Sequence, residues 1–130
     1  MRYAIILNEN YPDGYCQLGK IFLFYQEKEK AGEAIDKCLS LGGVESLSSA
    51  NLVKQLINLY IEKKDLPNII KLYEKLARLE GETAEIWANL AKLYAEAGRK
   101  EEAKNAALKA ADLNPSLKAE AEKFIKALGN

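Results

Sequence analysis

The side chains that most often carry enzyme chemistry are scarce in this sequence. It contains no histidine, so the commonest general base and the commonest zinc ligand are both missing. Cys16 and Cys38 are the only thiols, and they stand far apart, without the CxxC spacing of a zinc site or a redox pair. We expect two free thiols: Cys38 buried on the apolar side of a helix, and Cys16 equally consistent with core and surface. Unpaired thiols favour a reducing compartment.

The carboxylates do not form the pattern of a catalytic pair. Asp36 and the pair Glu101 and Glu102 lie beside lysines on charged helix faces, where ion pairing and solvation are sufficient explanation. The sequence has no glycine-rich phosphate loop and no HExxH motif. We therefore predict a protein that is not an enzyme, with no catalytic residues, no metal site and no cofactor.

Charge is balanced along the chain. There are 19 Lys and Arg residues against 19 Asp and Glu residues, and neither sign collects into a block. A general nucleic-acid or membrane-surface binder would need a basic excess, so we predict no nucleic-acid partner. The longest apolar run is far shorter than the roughly 18 residues that span a bilayer, so we predict no direct membrane insertion of this segment and a soluble domain.

Apolar and small residues recur with helical spacing, most clearly between Ala84 and Pro115. The helical spacing is interrupted at Gly98, a residue type that suits the end of a helix. It predicts two short amphipathic helices joined at that glycine. The residues that set the spacing are Trp87, Leu90, Ala91, Tyr94, Ala103, Ala107 and Pro115.

This spacing resembles one tetratricopeptide repeat (TPR). The family places Trp, Leu-Gly, Tyr, Ala, a large residue and Pro at these positions. Only Ala91, in place of the small Gly, and Ala107, in place of the usual aromatic residue, depart from it. The resemblance implies an all-α fold, with antiparallel helix-turn-helix repeats stacked into a right-handed superhelical solenoid, and a role as a protein-binding scaffold.

The same repeat spacing, extended along the chain, predicts a single TPR-like domain over residues 1–130, with about three repeats. A final helix would cover the last repeat as a cap, and the alternative is the first helix of a fourth repeat. The predicted parts are residues 1–10 as the end of a preceding repeat or an N-terminal cap, 12–48, 49–82 and 83–115 as the repeats, and 116–128 as the capping helix.

The first repeat is longer than the others. The interval from Val53 to Trp87 is one family repeat, about 34 residues, whereas the interval from Tyr15 to Val53 exceeds it. If Ala34 is the counterpart of Ile69, three extra residues lie between the first helix's anchor and its partner helix. Because three residues are nearly one helical turn, we predict that the first helix is longer than its counterparts.

Local signals mark several ends and contacts. Ser48 or Ser49 can cap the following helix, and Gly42 with Gly43 suits a left-handed helix end. Gly19 predicts a close crossing of the first two helices.

Resemblance to the family assigns ligand contacts to one surface, lined by the first helix of each repeat. Lys and Asn side chains there can hold an extended peptide by its backbone and its carboxylates, and Leu23, Phe24 and Ile61 offer apolar contact beside them. We therefore predict a groove for a protein or peptide partner, with an acidic one favoured by the lysines; the alternative is an ordinary solvated surface. The predicted groove residues are Lys20, Phe24, Lys54, Asn58, Ile61 and Lys92.

A second candidate surface lies in the first repeat. Phe22, Leu23, Phe24 and Tyr25 are consecutive, and one helix face cannot bury all four. The N-terminal segment, a ligand or another copy of the chain would cover the excess, so a self-associating homodimer is an alternative function.

The resemblance is compatible with two cellular contexts. One is a cytoplasmic scaffold, which the unpaired thiols favour. The other is a soluble C-terminal extension of a larger protein, such as a bacterial membrane glycosyltransferase or O-antigen polymerase. That context would place this segment in the periplasm or outside the cell.

Overall fold

The structure, a computed structural model, describes residues 11–81 and 83–129, without the side chain of Ser46. No β-strand occurs in these ranges, which confirms the predicted all-α class. None of their helices is long and apolar enough to cross a membrane. The helices are α1 (Asp13–Phe24), α2 (Lys28–Ser40), α3 (Ala50–Lys63), α4 (Leu66–Glu80), α5 (Ala84–Glu96), α6 (Lys100–Leu113) and α7 (Lys118–Ala127), with short 3-10 turns at Gly43–Ser46 and Pro115–Leu117.

The helices form consecutive hairpins. The pairs α1–α2, α3–α4 and α5–α6 pack closely, α4 packs on α5, and α7 packs on α6. Their apolar stripes meet in one core, in which Val53, Leu56, Tyr60, Leu72 and Leu90 are fully buried. This arrangement confirms the predicted solenoid of helix hairpins. The prediction for residues 1–10 lies outside the described residues.

Several local signals act as predicted. The Ser49 hydroxyl accepts a hydrogen bond from the Leu52 amide at 3.2 Å, which caps α3. Gly42 ends α2 with a left-handed φ of 81°. A Cβ atom on Gly19 would overlap the Ile35 side chain, so the glycine permits the close crossing of α1 and α2.

The predicted long first helix is wrong. α1 has 12 residues, whereas α3 has 14 and α5 has 13. Equivalent hydrogen bonds close the three hairpin turns, from Glu27 to Phe22, from Asp65 to Tyr60 and from Arg99 to Tyr94, so each hairpin turns at the same point of its repeat.

The extra residues lie between the first two hairpins instead. Ala31, and not Ala34, is the counterpart of Ile69, because both amides bond to the equivalent turn residues, Glu27 and Asp65. The interval from the first hairpin to the second is therefore the same in both of their helices. Its excess over the next interval equals the length of the 3-10 turn Gly43–Ser46, which has 4 residues.

This inserted turn is attached to both hairpins. A Cβ atom on Gly43 would overlap Cys38, so the turn runs directly against α2. On its other side, Glu45 pairs with Arg78 of α4 at 2.9 Å, and Lys75 donates to the Glu45 carbonyl at 3.4 Å. The backbones of α2 and α3 are not among the closely packed pairs, so the turn and long side chains connect these two hairpins.

The expectation of two free thiols is also wrong. Cys16 of α1 and Cys38 of α2 form a disulfide, with Cα atoms 5.2 Å apart. Their sequence separation of 22 places them opposite each other across the hairpin, a tertiary juxtaposition that local spacing does not reveal. The pairing removes the thiol argument for a reducing compartment.

The last helix occupies the position of a first helix. α7 begins at Lys118, one repeat length after α5 begins at Ala84, and it covers α6 with Ala121, Phe124 and Ile125. This placement fits both a cap and the first helix of a further repeat, so the boundary at 116–128 stays a prediction.

Candidate peptide-binding clefts on the first-helix face

Three depressions are lined by residues of α1 and α3, of α3 and α5, and of α5 and α7, and each also includes residues of a second helix. We call the surface that they form the first-helix face. The α1–α3 cleft has a volume of about 420 Å³ and includes Gln55, Asn58 and Glu62. The α3–α5 cleft, of about 440 Å³, includes Lys54, Asn58 and Asn89. The α5–α7 cavity, of about 230 Å³, includes Lys92 and Phe124. Asn58 lines both of the first two clefts.

Three of the predicted groove residues form a row. Lys20, Asn58 and Lys92 occupy the same position of α1, α3 and α5 when the three hairpins are aligned at their turns. All three side chains are exposed, so the row is accessible to a ligand. Lys20 lies outside the three depressions, whereas Asn58 and Lys92 line them.

Lys54 is less available than its sequence position indicates. Its ammonium group lies 2.6 Å from the carboxylate of Glu80 at the end of α4. Glu85 lines the same α3–α5 cleft, and Glu62 of the α1–α3 cleft pairs with Lys28 at 3.8 Å. The clefts therefore carry both signs of charge.

Two of the three predicted apolar contacts lie beside the clefts. Phe24 is 79% exposed and Ile61 is 49% exposed, and neither lines any of the three depressions. Leu23, the third predicted contact, lines the α1–α3 cleft together with Leu59. Leu59 was missed because it lies one helical position away from the family's groove pattern.

The four consecutive large residues divide into two pairs. Phe22 and Leu23 are half-buried, whereas Phe24 and Tyr25 are exposed and their rings contact each other edge to face, with centroids 5.1 Å apart. As expected, one helix face does not bury all four side chains.

Two buried tyrosines connect consecutive hairpins on the side of the second helices. The Tyr60 hydroxyl donates to Asp36 of α2, and the Tyr94 hydroxyl donates to Glu74 of α4 at 2.5 Å. Burial, followed by the hydrogen-bonded carboxylate, raises the pKa of both phenols well above the usual value of 10. These groups stay protonated at neutral pH and serve as hydrogen-bond donors.

Trp87, the predicted anchor of the third repeat, is half-buried. Its indole packs against the core, the Lys109 ammonium lies 4.6 Å from its ring centroid, and its Nε1 is buried without an acceptor among the described residues. Among residues 11–81 and 83–129, no three Cys, Asp or Glu side chains lie close enough together to hold a metal ion.

The hairpins and their clefts define a helical-repeat protein, and comparison with known sequences names the repeat. A sequence profile of the tetratricopeptide repeat matches residues 12–41 and 84–117. The two matches flank the second hairpin, and the first ends before the inserted turn. A search of curated proteins returned no match.

A solved structure shares the fold. The crystal structure of YrrB, "a TPR protein with an unusual peptide-binding site", matches with a TM-score of 0.53 and 21% sequence identity over 93% of this chain. This chain spans 60% of the length of that structure. The crystal structure of MamA matches with a TM-score of 0.49 and 19% identity, over 92% of this chain and 77% of the other. The chain belongs to the tetratricopeptide repeat family.

Proposed function

We propose that this chain is a non-catalytic interaction module that binds an extended peptide or partner segment along the first-helix face. The observation that carries the proposal is the adjacency of two clefts: Asn58 lines both the α1–α3 and the α3–α5 cleft. An extended segment that crosses α3 at Asn58 would therefore pass directly from one cleft to the next. The Asn58 carboxamide can both donate to and accept from a peptide backbone.

Charge in the clefts favours a partner of mixed charge over a strongly acidic one. Glu80 compensates Lys54, and Glu85 faces the same cleft. Lys20 and Lys92 form no ion pair in the described part of the chain, so attraction to an acidic group is confined to the two ends of the row.

A peptide selection tests this function. Random twelve-residue peptides displayed on phage are selected on the immobilised protein, and the Kd of each enriched peptide is measured by fluorescence anisotropy. Asn58→Arg should weaken binding at least about tenfold, because the longer cation blocks the junction of two clefts. Asn105→Arg, the same substitution at an exposed position of α6, is the matched control and should leave binding unchanged. Selected peptides that bind both variants equally would contradict the proposal.

Self-association is the second candidate function, and the exposed Phe24–Tyr25 pair favours it. The two rings form a continuous apolar surface, of which Phe24 is 79% exposed. Sedimentation equilibrium over a hundredfold concentration range tests it. A dimer that becomes monomeric on Phe24→Asp, but not on Leu113→Asp in α6, is the expected result. A wild-type monomer at every concentration would exclude this function.

The disulfide also bears on the compartment. Disulfides persist in oxidising environments, so the periplasmic or extracellular context is favoured over the cytoplasm. Thiol alkylation of the protein taken directly from its native cells should leave Cys16 and Cys38 unmodified in mass spectra. Alkylation of both thiols would favour the cytoplasm.

A further inference from the structure

The α5–α7 cavity is lined at one helix contact by two small side chains, Ala91 and Ala107. Equivalent positions of the three hairpins pair Gly19 with Ile35, Ile57 with Tyr73, and Ala91 with Ala107. The first contact sets a small residue against a large one, and the second sets two large residues together. Only the third has two small residues, and Ala107 stands where the family usually has an aromatic side chain.

The resulting space is apolar and open to a ligand. Ala88, Ala91, Ala107 and Ala110 form its walls with Phe124 of α7, and its volume is about 230 Å³. Apolar cavities of about 150 Å³ are known to accept benzene, so this cavity has room for an aromatic ring or a branched aliphatic side chain.

The wall also contains a cation, Lys92, that forms no ion pair with any of the described residues. Its side chain is exposed. Lys54, in the adjacent cleft, is held by Glu80 at 2.6 Å. An unpaired ammonium beside an apolar cavity complements a large apolar side chain followed or preceded by a carboxylate.

We infer that the α5–α7 cavity is the anchor site for the bound segment: it takes one aromatic or branched aliphatic side chain, while Lys92 pairs with a neighbouring Asp, Glu or terminal carboxylate. This inference rests on the proposed function and specifies the ligand at one end of the first-helix face. Glu120, on the α7 side of the same cavity, accepts a backbone amide or a basic side chain of the segment.

Filling the cavity tests the anchor. Peptides from the selection described above should share one large apolar residue with an acidic residue within about two positions, the reach of an extended backbone. Ala107→Leu should weaken their binding at least about tenfold, and replacing the peptide's apolar residue by Ala should then have no further effect. Ala127→Leu, at an exposed position near the end of α7, is the matched control and should bind normally.

Charge reversal tests the role of Lys92. Lys92→Glu should weaken binding of the acidic peptide by about tenfold and should improve binding of the same peptide with its Asp or Glu replaced by Lys. Thermal unfolding followed by circular dichroism shows whether Ala107→Leu is folded. Ala88→Leu narrows the cavity from a half-buried position and serves if that variant is not.

The outcomes separate the two proposals. Binding that responds to Asn58→Arg but not to Ala107→Leu, Ala88→Leu or Lys92→Glu would overturn the anchor and leave the proposed function standing. Binding insensitive to every one of these variants, or a library that yields no binder, would overturn both. A wild-type dimer that Ala107→Leu converts to a monomer would show that a second copy occupies the cavity, and would also overturn the inference.

Discussion

Tyr60 and Tyr94 close the two junctions between consecutive hairpins at corresponding positions. Each phenol is buried and donates to a carboxylate on the second helix of the preceding hairpin, Asp36 or Glu74. At the first junction, Lys63 also pairs with Asp36 at 3.5 Å. The backbones of α2 and α3 approach less closely than those of α4 and α5. Side-chain contacts such as the Tyr60 hydrogen bond are therefore more important for holding the first two hairpins together.

These tyrosines predict a loss of stability in alkaline solution. Both folded-state pKa values are raised by burial and by the bonded carboxylates, whereas the unfolded phenols ionise near pH 10. Below about pH 10 both states are neutral, and stability is fully present. Above it only the unfolded state gains charge, so the free energy of unfolding should fall by about 1.4 kcal/mol per pH unit for each tyrosine.

Urea unfolding at pH 9 and pH 11 measures this effect. Tyr60→Phe with Tyr94→Phe should remove most of the tyrosine contribution, while lysine titration remains common to both proteins. Equal pH dependence of the wild type and the double variant would show that the two phenols do not control alkaline stability.

Trp87 stabilises the third hairpin through its apolar area and not through its N–H group. Its ring packs on the core, but its Nε1 has no acceptor among the described residues. Trp87→Ala should therefore lower the free energy of unfolding by about 3 kcal/mol, the low end of the usual range because the side chain is half-buried. Trp87→Phe should cost less than about 1.5 kcal/mol. Chemical denaturation compares them, and equal losses would indicate that the N–H group matters.

At the scale of helices, the disulfide fixes α1 on α2. It bridges a sequence separation of 22 in the hairpin that also contains the close contact at Gly19. Cys16→Ser with Cys38→Ser should lower the free energy of unfolding by about 3 kcal/mol, mainly because the unfolded chain is less constrained. Reductant should shift the Tm of the wild type and not that of the double variant. A wild-type Tm unaffected by reductant would contradict this prediction.

The sequence spacing predicted the helices correctly but assigned the extra residues of the first repeat to α1 and not to the inserted turn. Periodicity fixes which residues of one helix share a face, and Ser49 and Gly42 mark helix ends through local chemistry, so these features follow from sequence. A longer interval between equivalent residues of two repeats does not show where in that interval the extra residues lie. Ala31 and Ala34 both suit an apolar helix face, and only the hydrogen bonds of the hairpin turn distinguish them.

Some features of the candidate site also follow from the sequence, and others do not. The row of Lys20, Asn58 and Lys92 follows from the repeat phase. The pairing of Lys54 with Glu80 and the cavity beside Ala107 depend on distances between helices, which a one-dimensional pattern does not contain. The departure of Ala107 from the family's aromatic residue was the available signal for the cavity, because a missing ring leaves space unless a neighbour fills it.

For the whole molecule, the hairpins need not unfold together. In a solenoid each repeat contacts only its neighbours, and here the covalent link lies within the first hairpin. Reduction should therefore increase amide hydrogen exchange in α1 and α2 far more than in α5 and α6. Mass spectrometry of deuterated, peptic fragments measures the difference. Uniform loss of protection along the described chain would show that the hairpins form one cooperative unit.

The small contact of Ala91 with Ala107 sets stability against function. A larger side chain at position 107 would bury more apolar surface, as Tyr73 does at the corresponding position of α4, and cavity-filling changes commonly stabilise proteins. If the cavity anchors a ligand, directed evolution for heat resistance alone would enrich substitutions that close it. Such a screen should carry a binding selection beside the thermal one.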